Sequence, residues 1–127
     1  MNAPLFAAVA LAGALGALAR FGLDAFIMAR TEGGAPWGTW VVNASGSLFA
    51  GLLAGYGASR GLPADFELAV TGGFLGAYTT FSTWMVQSVE LAQRGAWRAA
   101  AVNVAASVLT GAAAAAGGWA LAAQIAS

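Results

Sequence analysis

The sequence predicts an all-α membrane protein that crosses the bilayer four times, and three observations carry that reading. Of the 127 residues, 60% are hydrophobic and only 8% are charged, where a soluble domain carries about 25% charged residues. The five arginines and five acids leave four uncharged runs, 1–19, 33–59, 68–89 and 99–127, each 19 to 29 residues long. A helix needs roughly 20 mostly apolar residues to cross a hydrocarbon core of about 30 Å, so every run is long enough. Turn-forming residues then fall between the runs: Gly33, Gly34 and Pro36, then Gly61 and Pro63, then Gly95. A soluble chain of this size could not bury four such segments. The expectation is one transmembrane domain over 1–127, with spans near 4–28, 37–58, 66–90 and 98–124 joined by short links into an up-down series. Trp37, Trp40, Tyr56, Phe66 and Trp97 stand near the span ends, where amphipathic rings favour the membrane interface.

The first span has a rival reading as a signal peptide, because Ala17-Leu18-Ala19 resembles a cleavage site. No basic residue precedes Arg20, so the n-region that reading requires is missing. Arg20 and Asp24 follow at i and i+4. They can pair with each other, or Arg20 can offer an anion-attracting charge at a water-filled mouth. In the second span Thr39, Asn43 and Ser47 share one helical face, and Gly51-x-x-x-Gly55 is a close-packing pattern. The third span is the irregular one. Around its midpoint, between Tyr78 and Thr79, residues 71–84 hold three glycines and five Ser/Thr residues, a poor continuous helix. A break there frees carbonyl oxygens, which suit a hard cation such as Na⁺, and is tolerated at that depth only where it is buried or lines a cavity. Phe81 and Trp84 share a face just beyond it. In the fourth span Asn103, Ser107 and Thr110 form another polar stripe. Each stripe fits hydrogen bonding between helices as well as a pathway lining.

What is missing narrows the function. The chain has no Cys, His or Lys, which removes disulfides, thiol chemistry, Cys/His metal sites and Schiff bases. Zero net charge gives no basic surface for nucleic acid. No nucleophile–base constellation suggests an enzyme. The uncharged runs hold no titratable acid or base, which points to passive permeation. That weighs against the chief alternative, a small four-helix proton-coupled multidrug exporter, which needs an acid in its first span. Four helices are too few to enclose a pathway, so an oligomer is expected. Arg30, Arg94 and Arg98 lie on the side opposite Arg60, a weak bias toward termini outside.

In combination these residues resemble the Fluc, or CrcB, family of fluoride channels. The marks run through all four spans: Gly13-x-x-Gly16-Ala17-x-x-Arg20-Phe21, then Gly38-Thr39-x-x-Val42-Asn43-x-x-Gly46-Ser47, then Gly72-Gly73-Phe74-x-Gly76-x-x-Thr79-Thr80-Phe81-Ser82-Thr83-Trp84, and Asn103-x-x-x-Ser107. The resemblance implies an antiparallel homodimer inserted in both orientations in the cell (inner) membrane, with two fluoride pathways and a structural Na⁺ at the dimer interface. It implies that Asn43, Phe81, Ser107 and Arg20 serve the fluoride pathway, with Thr39, Thr80, Ser82 and Thr83 beside them. Gly76 and Thr79 would hold the Na⁺ through backbone carbonyls. Two positions depart from the family pattern: Trp84 stands where the second phenylalanine is usual, and Asn103 where tyrosine is common. Trp84 keeps an electropositive ring edge and adds an indole N–H donor.

Overall fold

The computed structural model describes residues 2–126, all helices and connectors. Helix α1 (Ala3–Met28) starts at Asn2, whose Oδ1 accepts from the Leu5 N–H at 3.0 Å. Helix α2 (Trp37–Arg60) ends at Gly61, whose φ of 75° lets its N–H return to the Gly57 carbonyl at 2.9 Å. Segment α3, over 64–78, changes form along its length: Ala64–Glu67 is α-helical, Leu68–Leu75 is π-helical and Gly76–Tyr78 is α-helical. After a break at Thr79 and Thr80 come α4 (Phe81–Gln93) and α5 (Trp97–Ala126).

Three of these helices, α1, α2 and α5, are long and apolar enough to cross a membrane. At 1.5 Å per residue α4 reaches only about 20 Å, short of the roughly 30 Å core. The remaining crossing therefore needs α3 and α4 together, with the break between them. Four crossings were expected, and the structure builds three from single helices and leaves the third in sequence discontinuous.

Apolar side chains are distributed as a bilayer requires. Phe6, Leu11, Leu15, Leu18 and Phe21 on α1 and Val102, Leu109 and Ile125 on α5 are all exposed, while among the described residues the large buried apolar side chains reduce to Val42, Leu75 and Tyr78. Water would penalise such a surface heavily; acyl chains do not. The contacts between helices are accordingly made by small residues that let backbones approach. A Cβ on Gly51 of α2 would run into the Ala115 carbonyl of α5, and one on Gly118 would run into the Leu48 carbonyl. Between α1 and α3 the same holds for Gly16 against the Phe74 carbonyl, and for Gly73, whose Cβ would lie 2.7 Å from the Val9 carbonyl oxygen. The result is two tight pairs, α2 with α5 and α1 with α3, and α4 packs on α5.

Gly51→Ala should therefore lower the thermal stability of the purified protein, with overpacking costing about 1–3 kcal/mol. Gly117→Ala, whose Cβ would meet nothing within 4 Å, should be neutral. Equal melting behaviour of the two variants in one detergent would contradict the packing described.

Candidate functional site

The break in the third crossing is held by one side chain from α2. Asn43 Nδ2 donates to the Thr80 carbonyl at 2.9 Å, and the Thr80 N–H donates to Asn43 Oδ1 at 2.8 Å. Because the backbone groups can each play only one part, this pair fixes which way the amide faces. Thr80 is extended, with φ −145° and ψ 121°, and its hydroxyl accepts from the Thr83 N–H at 3.2 Å, capping α4. On the other side, the Thr79 N–H and hydroxyl both return to the Leu75 carbonyl, at 3.0 and 2.9 Å. Tyr78 completes the anchoring. Its ring stacks on Phe74, and its hydroxyl lies 2.8 Å from Ser45 Oγ.

This arrangement has a consequence for the carbonyls. In a regular helix the Gly76 carbonyl would receive the Thr80 N–H, and the Thr79 carbonyl the Thr83 N–H. Here Thr80 bonds to Asn43, and Thr83 bonds to the Thr80 hydroxyl. Both carbonyls thus lose their usual donors, at the two positions from which carbonyl ligation of a cation was expected. Main-chain oxygens are suitable ligands for a hard cation. The residues present fit such an ion.

Around the break lies an open groove of about 500 Å³. It brings together Asn43, Thr80, Phe81, Trp84 and Ser107, with Gly76 and Thr79 in the same wall. Phe81 and Trp84 meet edge to face, with ring centroids 5.5 Å apart and planes at 80°. Asn43 has one amide N–H left over for an occupant, and Ser107 Oγ is buried with no hydrogen-bond partner. The groove lining contains no ionisable residue. Its chemistry is that of neutral donors and ring edges, suited to a small anion.

Other expected site residues lie elsewhere. Arg20, Thr39 and Thr83 line a second cavity of about 210 Å³, and Thr80 stands in the lining of both this cavity and the groove. Ser82 is exposed, its hydroxyl 3.4 Å from Thr80 Oγ1. Asn103 lines a third, mainly apolar cavity beside Trp37 and Trp40. Its Nδ2 donates to Ser88 Oγ at 2.9 Å, Ser88 donates to the Trp84 carbonyl at 2.8 Å, and the Trp84 indole N–H donates to the Asn103 carbonyl at 3.2 Å. This closed ring of bonds ties α4 to α5 and corrects one expectation: the indole N–H is occupied, so what Trp84 offers the groove is its ring. Ser88 was missed from the sequence. Its only signal there was its place one turn beyond Trp84. Tyr78 and Ser45 were missed as well, since nothing in the spacing shows that they meet.

Against known proteins, the family described as "CrcB-like protein, Camphor Resistance (CrcB)" matches residues 7–119. The chain is 47% identical over 109 residues to "Fluoride-specific ion channel FluC 2" of Symbiobacterium thermophilum, covering 85% of this chain and 89% of that one. It is 42% identical over 97 residues to "Fluoride-specific ion channel FluC" of Syntrophotalea carbinolica, covering 76% and 79%. To the protein of the same description from Maridesulfovibrio salexigens it is 39% identical over 114 residues, covering 89% and 90%.

If Asn43 holds the break, its loss should be felt at the Thr80 amide. Asn43→Leu should expose that amide to exchange, with a loss of roughly 1–3 kcal/mol for the unsatisfied backbone groups. Asn43→Asp can accept from Thr80 but no longer donate to its carbonyl, and should fall between. Hydrogen–deuterium exchange of the peptide covering the break measures this; unchanged protection in Asn43→Leu would exclude the clamp.

Proposed function

This chain belongs to the CrcB-like family, and from that premise we infer that it is a fluoride channel, a multi-pass membrane protein that lets the anion leave the cell passively and so reduces fluoride toxicity. It is not an enzyme. The observation that carries the passive reading is the groove itself: an amide, hydroxyls and two aromatic rings line it without a single acid or base. A proton-coupled exporter would need a titratable group there.

The mechanism follows from the chemistry of the ion. Fluoride is small and strongly hydrated, so passage through a narrow site requires groups that replace its water. The free Asn43 N–H and the unpartnered Ser107 hydroxyl are such groups. Phe81 and Trp84 add rings whose edges carry partial positive charge. Arg20, in the adjoining cavity, draws the anion toward the groove without standing in it.

The assembly we propose is an antiparallel homodimer with two pathways. One subunit leaves the groove open along a side, and a second copy would close it with its own residues. A Na⁺ held by the Gly76 and Thr79 carbonyls of both copies would supply positive potential at the interface and fix the subunits together. Its support is the loss of regular donors at those two carbonyls.

In liposomes loaded with fluoride, Phe81→Ile should reduce efflux about tenfold, since it keeps apolar bulk and removes the ring edge. Trp84→Phe keeps an edge but releases the bond to Asn103, and its efflux should survive. Normal efflux in a dimeric Phe81→Ile protein would reject the aromatic mechanism. The chain has no native cysteine, so Glu32→Cys provides a clean test of topology. In intact cells it should be labelled from both sides of the membrane by an impermeant thiol reagent. Labelling from one side only would exclude dual insertion.

A further inference from the structure

The cavity that adjoins the groove holds two polar atoms that the family reading does not explain together. Arg20 Nε and Asp24 Oδ1 are both buried, and neither has a hydrogen-bond partner. They stand one turn apart on α1 and line the same space of about 210 Å³, with Thr39 and Thr83. The Asp24 carboxylate packs directly on Gly38, in the first turn of α2, where only a glycine leaves it room. That end of α2 has no side-chain cap, so the partial positive charge of the helix N-terminus lies beside the carboxylate.

We propose that Asp24 sets how tightly the anion is held at the mouth, by keeping it hydrated while it is beside Arg20. The proposal rests on the channel reading above. An occupant that satisfies both buried atoms must accept a hydrogen bond from Arg20 and donate one to Asp24. Water does both; a bare halide can only accept. The space is large enough for several waters at about 30 Å³ each. A fluoride ion drawn in by Arg20 therefore meets Asp24 across at least one water, and cannot strip its shell there. Dehydration is deferred to the groove past Thr80, where the lining is neutral. Asp24 also offsets Arg20 and the α2 N-terminus, so their combined attraction does not trap the ion at the mouth. Arg20 recruits and Asp24 releases.

Asp24→Asn removes the charge and presents an amide that can donate to the anion directly. Efflux from liposomes over a range of fluoride concentrations should give a half-saturating concentration about five- to tenfold lower than wild type, as expected for deleting a partly screened charge a few ångströms away. Asp24→Glu keeps the charge and should stay near wild type. Direct binding provides a second readout: fluoride should raise the melting temperature of detergent-purified Asp24→Asn more than that of wild type. Wild-type half-saturation in Asp24→Asn, or an equal shift in Asp24→Glu, would overturn the proposal. If Asp24→Asn does not assemble, Asp24→Ser takes its place, and failure of both to form dimers would assign Asp24 a purely structural role. Wild-type protein without fluoride efflux would instead sink the channel reading, which the melting comparison does not depend on.

Discussion

The pair of hydrogen bonds between Asn43 and Thr80 is the constraint on which the rest of the site depends. A broken helix within a bilayer exposes backbone groups that lipid cannot satisfy, at several kcal/mol each. Asn43 meets both unsatisfied groups of one residue with one amide. No other uncharged side chain than Asn or Gln carries a donor and an acceptor in that geometry. With Thr80 held extended, the Thr80 hydroxyl is placed to cap α4, and the rings of Phe81 and Trp84 follow from the direction in which α4 leaves the break. The carbonyls of Gly76 and Thr79 lose their donors for the same reason. The cap, the rings and the carbonyls without their helical donors all follow from one side chain on another helix.

That clamp works only if α2 and the break lie close together, and the small residues make this possible. Gly46, one turn from Asn43, accepts the Thr79 methyl group where a Cβ would stand. Gly16 of α1 and Gly73, itself within the widened π-helical stretch Leu68–Leu75, bring α1 against α3. A π-helical stretch adds residues without adding turns and shifts the face that follows it. Thr71 contributes by returning its hydroxyl to the Glu67 carbonyl at 2.6 Å, which competes with regular helix. Gly-Gly and Thr in sequence thus do two tasks: they lower the cost of irregular backbone, and they let a neighbour approach it.

Much of this was legible before any coordinates. The four crossings could be read because charge is so costly in hydrocarbon that five arginines and five acids delimit the runs by themselves. The break could be placed because glycines and hydroxyl residues accumulate where a span should be most regular. It lies at Thr79 and Thr80, beside the expected midpoint. Partnerships between helices were not legible. The helical period reports which residues share a face, but not which face of another helix they meet. Asn43 was recognised as a donor for an ion, yet half of its bonding capacity goes to Thr80. Asn103 was placed in a polar stripe with Ser107, yet a modest rotation along α5 turns its amide to Ser88 and leaves only Ser107 in the groove. Trp84 and Asn103, the two departures from the family pattern, are joined to each other through the indole N–H and the Asn103 backbone, a link that a list of positions does not reveal.

The placement of charge in the molecule follows from the need to let an ion go. Two unit charges 4 Å apart attract by about 4 kcal/mol at an effective dielectric constant of 20. A cationic side chain in direct contact with fluoride in the groove would hold it with about that energy and slow its departure roughly a thousandfold. Neutral hydrogen bonds are weaker, at about 0.5–1.5 kcal/mol net each, so several can replace hydration water and still be exchanged one at a time. The groove is built from such groups, and Arg20 stands one cavity away with Asp24 beside it. Attraction and passage are thereby assigned to different places. In the proposed pathway the long-range pull of a full charge recruits the ion where water still screens it, and the short-range contacts that replace the water carry no charge that would keep it.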